Sequence, residues 1–341
     1  MDEAISTSGL DLAKFGHGFQ RSVIYELIRL SSRFGETSAP EKKEFNPDFT
    51  LILFEEPEAF LHPSQQEIMS YHLRVLSYEP TQQVIITTHS NIFAGKAAND
   101  ICQIIRFRRR QGITTTYQPQ NSDLQALFSD GGALLTALQA FVADPNIPQA
   151  NKSRASKLIA NPPQAEIAED EEKFRYQLWL DSERSSLFFA DKVLLVEGPS
   201  ERALFNYLLT DTWNDLHQNR ICVIDVLGKF NFHRFMGLLK LYQIPYGVIL
   251  DDDNNKEHHQ AINDFVTVTA RASGCPILAP PQLIPDCLET MLGLPSQNDR
   301  SDKKPIEIMK AVSNNQIGAD KLQALRVVFE KALAINGGAS G

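Results

Sequence analysis

The sequence predicts an α/β chain of two structured regions joined by an arm, and three observations lead there. Its 341 residues correspond to about two domains at roughly 150 residues each, long enough to bury real cores. From Asp191 onward, apolar runs of strand length alternate with segments of helical spacing, the pattern of a doubly wound parallel sheet. Hydrophobic residues make up 43% and charged residues 22%, a globular composition that excludes a wholly disordered or fibrous chain.

Taken in order, residues 10–110 alternate helix and strand signals. Gln20–Ser31 has helical spacing of Val23, Ile24, Leu27, Ile28 and Leu30, and Leu51–Phe54 is a short buried-strand run. Gln65–Leu76 reads as a helix and Gln83–Thr88 as a second strand. Residues 111–170 lack long periodic runs, contain Pro145, Pro148, Pro162 and Pro163, and close with the acidic stretch Glu166–Glu172. With the segment up to 190 they read as a connecting helical arm. The second region follows as Lys192–Val196, Glu201–Leu209, Ile221–Leu227, Phe232–Tyr242 and Gly247–Leu250, in the order strand, helix, strand, helix, strand. The expected boundaries are 1–110, 111–190 and 191–335, with a frayed tail at Gly337–Gly341.

Several classes are excluded. The longest unbroken apolar runs, such as Leu51–Phe54 and Val193–Val196, are four residues, whereas a membrane span needs roughly 20. The start, MDEAISTSG, has neither the basic nor the apolar region of a secretory signal. Cys102, Cys222, Cys275 and Cys287 stand far apart with no CxxC, which suits a reduced cytoplasm and excludes a cysteine-ligated zinc. A net charge of −9 argues against a nonspecific polybasic binder but is compatible with an acidic metal site.

Two constellations carry chemistry. In Leu51–Pro63 an apolar strand ends in Glu55 and Glu56, where one carboxylate could hold Mg²⁺ while its neighbour orients a water. Some thirty residues later QVIITT ends in His89-Ser90, so both strand ends would fall on one edge of one sheet. In the second region, Lys192–Val196 runs into Glu197-Gly198-Pro199-Ser200-Glu201, with Glu201 in the first turn of a helix, where its charge suits the positive end. Strand Gly247–Leu250 ends in Asp251-Asp252-Asp253, and in an extended segment Asp251 and Asp253 would point to one side and could share a metal. Oxygen-only ligands of this kind select Mg²⁺ or Mn²⁺.

Glu55-Glu56-Pro57-Glu58 with Leu61-His62-Pro63, followed by Thr87-Thr88-His89-Ser90, resembles the Walker B, D-loop and switch-histidine region of ABC-type ATPases related to RecF and SMC proteins. Phe15–Arg21, with Gly16, Gly18 and Gln20, resembles their signature motif, in degenerate form because Gly16-His17 replaces the usual serine-glycine pair. The resemblance implies that Glu55 takes the metal position usually held by Asp, that Glu56 is the hydrolytic carboxylate and that His89 is the switch. No GxxxxGK[ST] occurs in the sequence. The expectation is therefore a carboxy-terminal piece, a truncation or one half of a split protein, that needs a missing N-terminal half or a partner to supply the phosphate loop and to use ATP.

VEGPSE followed by DDD resembles the Toprim domain of topoisomerases, primases and certain nucleases, and Phe188–Gly198 behind an ABC half resembles the OLD (overcoming lysogenisation defect) family of ATP-dependent nucleases, from about Phe15 to Lys310. The fold class implied is a partial ABC-type ATPase domain followed by a Rossmann-like Toprim domain. By the same resemblance, Val226–Asn231 with Lys229 matches a glycine-lysine turn, Glu289 is a further metal ligand, and Lys304 meets the scissile phosphate, with Lys303 as the alternative. The activity implied is a Mg²⁺- or Mn²⁺-dependent DNA endonuclease. One ion would sit on Asp251 and Asp253, and a second between Glu197, Glu201 and Glu289. The alternatives are a non-cleaving ATP-gated DNA-binding or repair protein and a primase-like nucleotidyl transferase. Arg106, Arg108, Arg109 and Arg110 form the dense basic cluster, read either as a DNA-backbone contact or as a charged hairpin edge, and Lys229 either as a DNA contact or as a surface lysine. ABC-type heads pair across their ATP sites, so a homodimer is expected, with Leu178, Trp179, Leu187, Phe188 and Phe189 of the arm as candidates for the contact or for packing on their own sheet.

Overall fold

The computed structural model describes residues 16, 19–20, 23, 49–129, 131–160, 165–255, 258–295 and 303–335. Gly18, most of the expected helix Gln20–Ser31 and the tail Gly337–Gly341 lie outside them, although Gln20 and Val23 are helical. The chain divides into two compact units, Met1–Lys96 with Asp181–Ser185, and Ala97–Leu180 with Ser186–Gly341.

In the first unit, β1 (Thr50–Glu55) is followed by α1 (Pro63–Ser77), β2 (Gln82–Thr87) and α2 (Asn91–Ala97). The strands pair in parallel, with Thr50 opposite Gln82 and Glu55 opposite Thr87. Alternation along β1 turns Ile52 toward α1, where it packs with Leu61, Met69, Leu73, Leu76 and Phe93. Pro63 opens α1 without loss because the first amides of a helix have no internal partner, and Gln65 returns its side chain to the His62 amide at 3.1 Å.

In the second unit a 3-10 turn, Ala98–Gln103, leads into a hairpin, β3 (Arg106–Arg110) and β4 (Ile113–Tyr117), in which Arg106 faces Tyr117. The expected boundary at residue 110 falls inside this hairpin. Arg106 shows why: its guanidinium donates to the carbonyls of Phe188 at 3.1 Å, Ala190 at 3.2 Å and Tyr242 at 3.3 Å, stitching β3 to the later sheet. Helices α3 (Asn121–Ser129), α4 (Gly131–Ala143), α5 (Gln149–Ile159) and α6 (Ala165–Trp179) follow, so the expected arm is helical and packs within this unit. Asn121–Ala143 is long and apolar enough to cross a membrane by length and composition, but it directs Leu134, Leu138 and Phe141 onto Ala155 and Ala261. From α6, Glu172 takes Arg234 in a paired contact of 2.5 Å on each oxygen.

The remaining elements are β5 (Lys192–Val196), α7 (Pro199–Tyr207), β6 (Ile221–Asp225), α8 (Phe232–Leu241), β7 (Tyr246–Asp251), α9 (His259–Ala270), β8 (Gln282–Ile284), α10 (Leu288–Leu292), α11 (Lys304–Ser313) and α12 (Ala319–Ala332). The sheet order is β6-β5-β7-β8 and every pairing is parallel. A parallel sheet must be covered on both faces, and its strands are accordingly near-continuous apolar runs, with Val193 through Val196 fully buried. Phe205, Trp213 and Phe329 form an aromatic cluster with centroids 5.1–6.3 Å apart in the core beside Leu194, Leu204 and Leu325. α12 crosses so close to β7 that a Cβ on Gly247 would collide with the Ala332 carbonyl.

Candidate active site

In the first unit the parallel register brings Glu55, Glu56 and His89 to one sheet edge. Glu56 takes a φ of 43° as the chain leaves β1, and its amide still reaches the Thr87 carbonyl at 2.8 Å. Its Oε1 lies 3.6 Å from His89 Nε2, both side chains open to solvent. The exit of β2 is held by a residue that motif reading left without a role. Glu58 Oε1 accepts from Thr88 Oγ1 at 2.7 Å and from the His89 amide at 2.8 Å, which fixes the histidine's backbone opposite Glu56. Gly16 accepts from the Phe19 and Gln20 amides at 3.0 and 3.2 Å, the first turn of a helix.

In the second unit the turns leaving β5, β6, β7 and β8 converge on the carboxyl edge of the sheet, where open α/β sheets place their ligands. Glu197 follows β5, and its carbonyl accepts the Gly228 amide at 2.8 Å, tying the β5 and β6 exits together. Gly228 adopts φ 103°, a conformation that strains any residue with a Cβ, and it delivers Lys229 into the site. Glu201 is buried in the first turn of α7 and accepts the Gly198 amide at 3.0 Å. After β7, the Asp252 amide bonds Ile284 O at 2.9 Å and the Asp253 amide bonds Asp286 O at 2.7 Å. Glu289 is buried in α10, and Lys304 at the start of α11 reaches its Oε1 at 2.7 Å.

The electrostatics follow from this crowding. Burial and the neighbouring Glu197 lift the Glu201 carboxyl to about 7. Burial, then Glu201 and Glu197, hold Asp251 well above the usual carboxylate range, and burial raises Glu197 against the opposing pull of Lys229. Asp253 and Glu289 go the other way. Burial alone would raise Asp253, but hydrogen bonds from His259 (Nδ1, 3.0 Å) and Lys229 (Nζ, 2.5 Å) hold it at about 2. Glu289 is likewise desolvated, yet Lys304 keeps it below its ordinary value.

These residues fit a divalent cation. The donors are all hard carboxylate oxygens, and Glu197 Oε2 is buried with no hydrogen-bond partner, an orphaned acceptor of the kind a cation would satisfy. Among the described residues no three His, Cys, Asp or Glu side chains already converge as a ready ligand set. The reason is visible in the pairs just given: Glu201 is turned back on the Gly198 amide, Lys229 holds Asp253, and Lys304 holds Glu289.

Three expectations change form here. Asp253 does not continue an extended segment from Asp251: the strand ends at Asp251, and Asp253 and Asn254 take φ of 52° and 51°, which Asp and Asn tolerate better than most residues. Arg106, grouped with the DNA-contacting arginines, is buried on backbone carbonyls and presents nothing to a phosphate, while Arg109 and Arg110 remain exposed and Arg108 half-buried. Lys229 is neither a surface lysine nor a free DNA contact, with only 3% of its side chain exposed. Motif reading also passed over His259 on Asp253, and the pair formed by Arg202 of α7 and buried Asp225 at the end of β6, 3.0 Å apart. Asp225 closes an apolar strand, a signal the sequence does contain.

A parallel sheet whose carboxyl edge carries buried acids at the ends of the neighbouring strands β5 and β7, with lysines from adjacent turns, is the arrangement expected of a Toprim-type domain. Comparison with known proteins agrees. Residues 188–253 match the overcoming lysogenization defect protein-like Toprim domain, and residues 2–94 match an AAA ATPase domain. The chain is similar to the Old nuclease of Escherichia phage P2, at 26% identity over 71% of this chain and 34% of that protein. It is also similar to the endonuclease GajA of Bacillus cereus (strain HuB5-5), at 24% over 74% and 33% respectively, and to the OLD nuclease of Thermus scotoductus (strain ATCC 700910 / SA-01), at 23% over 70% and 36%. The chain thus spans about a third of the length of the curated relatives it matches, and carries an OLD-like Toprim domain behind an ATPase segment.

Proposed function

We propose that the Toprim domain of this chain is a metal-dependent DNA endonuclease, hydrolysing phosphodiester bonds under the control of an ABC-type ATPase. The observation that carries this reading is the cluster of Glu197, Glu201 and Asp251 at the carboxyl edge of a parallel sheet, all raised by burial, with Glu197 further raising Glu201 and both of them further raising Asp251. Such a cluster is poorly satisfied without a cation. The names of the relatives, nucleases and an endonuclease, support the same reaction.

Glu197, Glu201, Asp251, Asp253 and Glu289 would hold Mg²⁺ or Mn²⁺, two ions in all. When bound, such ions supply an activated water and a clamp for the attacking and leaving oxygens. The protein's own groups do the rest. Lys304, kept charged beside Glu289, offers an ammonium to the scissile phosphate, where it neutralises the charge that develops on the oxygens. Arg108, Arg109 and Arg110 bind the DNA backbone without reading sequence. In the other unit, Glu55, Glu56 and His89 would take the metal, hydrolytic and switch roles toward an ATP whose phosphate loop a partner or a further segment provides. The active form is a homodimer in the cytoplasm. Leu178, which stands exposed on α6, is its candidate contact, whereas Leu187 and Phe188 are buried and Trp179 stacks on Phe235 at 5.9 Å.

Supercoiled plasmid incubated with the protein and Mg²⁺ or Mn²⁺ tests this. Nicked and linear products, abolished by EDTA, are expected. An unaltered plasmid with retained DNA binding would point to a non-cleaving binder, and nucleotide incorporation on a template would point to a primase-like enzyme.

A further inference from the structure

Lys229 is sealed within the acid cluster, and its surroundings give it a task. Its Nζ donates to the Asp251 carbonyl and to Asp253 Oδ2, both at 2.5 Å. The lysine sits on the turn after β6 and its acceptors lie on the loop after β7, so one buried cation braces two strand exits of the same site. A buried ammonium is tolerated only when it is paired and hydrogen-bonded, and removing its partner leaves an uncompensated charge. The other charged groups facing this spot are Glu197, Glu201 and Asp251, which repel further negative charge, His259 on the same Asp253 oxygen, and Lys304, already engaged by Glu289.

We propose that Lys229 is a positioning residue, a resident counter-ion that holds Asp253 and the end of β7 in place before a divalent cation binds and shares that carboxylate with the cation afterwards. The second half rests on the metal-site reading above; the first does not. The sign of one substitution separates this from ordinary packing. Removing a carboxylate from a crowded acidic cluster normally relieves repulsion, but Asp253→Asn strands the Lys229 ammonium and therefore destabilises.

The test is a set of melting temperatures for the wild type, Asp253→Asn, Lys229→Met and the double variant, each in EDTA and in saturating Mn²⁺. In EDTA, each single substitution is expected to lower Tm by about 5 °C or more, and the double variant to lose clearly less than the sum. Lys229→Met is expected to regain more Tm from Mn²⁺ than the wild type does, because the cation replaces the missing charge; an equal or smaller gain overturns the sharing. Additive losses in EDTA, or an unperturbed Asp253→Asn, overturn the counter-ion. If Lys229→Met fails to fold, folding of the double variant supports the pairing, and failure of the double beside a stable Asp253→Asn refutes it. A wild type that gains nothing from Mn²⁺ while the coupling in EDTA persists removes the metal-site reading and leaves the counter-ion standing.

Discussion

Glu201→Gln should stabilise the metal-free protein above neutral pH, and the structure supplies the size of the effect. The Glu201 carboxyl rises from 4.5 to about 7, first because it is buried and second because Glu197 is near. A tenfold change in proton affinity corresponds to about 1.4 kcal/mol, so ionising Glu201 in the folded state costs about 3 kcal/mol relative to the unfolded chain. Between pH 4.5 and about 7 the folded state binds more protons than the unfolded state, so stability falls as pH rises through that window and stays low above it. Glu197 and Asp251 are raised as well and act in the same direction, whereas Asp253 and Glu289 are lowered and lose their contribution only under more acidic conditions. For a domain of roughly 150–250 residues, about 3 kcal/mol moves Tm by about 6–12 °C. The assay is thermal unfolding in EDTA from pH 5 to pH 8, for the wild type and Glu201→Gln. The glutamine keeps an oxygen for the Gly198 amide, so only the charge is removed. The wild type should lose Tm toward pH 8, the variant should lose much less, and Mn²⁺ should flatten the wild-type curve. A wild-type curve that is flat or rises from pH 5 to pH 8, or a variant with the same slope, would show that the acids are not crowded as described.

Gly228→Ala should cost about 1–3 kcal/mol, because φ 103° strains any β-carbon, and should slow cleavage by moving Lys229; unchanged urea unfolding would contradict the turn's role. Arg106→Ala should lower stability by about 1–3 kcal/mol by leaving three carbonyls short of a donor, without altering the salt dependence of DNA binding. Arg109→Ala with Arg110→Ala should do the reverse, leaving Tm unchanged and reducing the slope of log affinity against log salt by about 2; fluorescence anisotropy across a salt series separates the two cases. Light scattering at micromolar concentration should give a dimer, and a mass near 38.3 kDa at every concentration would exclude it.

The strands β1, β2, β5, β6 and β7 were legible because each contains a short, nearly unbroken apolar run, as burial on both faces demands for β5 and β7. The same run in β1 leaves Leu51 and Leu53 exposed, and the charged β3, the threonine-rich β4 and the three-residue β8 carry no such signal. Lys192–Val196 was placed to the residue, and the reading of two strand ends on one edge holds for Glu55 and His89 through the parallel pairing of β1 and β2. The carboxylates after β5 and β7 were legible for a related reason: an acid directly after a buried strand has few structural uses. What stayed hidden depends on contacts distant in sequence. Nothing near Lys229 announces that its ammonium will meet residues 22 and 24 positions away, and nothing in Arg106–Arg110 distinguishes the one arginine drawn onto backbone carbonyls 82 to 136 residues on. The bend at Asp253 was missed because alternation was extended past the strand into a run of Asp and Asn, residues that readily leave extended geometry. The hairpin's attachment to the later sheet, made by Arg106, is likewise a contact between residues distant in sequence.

The most direct test of the central claim, that the buried acids after β5 and β7 are where metal and phosphodiester meet, is the rate of plasmid nicking as a function of Mn²⁺ concentration for the wild type and Asp251→Ala. The expected result is a saturable dependence on Mn²⁺ in the wild type and none in the variant, whose Tm in EDTA equals or exceeds that of the wild type because a repelling carboxylate is gone. An Asp251→Ala protein that nicks with the wild-type rate and Mn²⁺ dependence would contradict it.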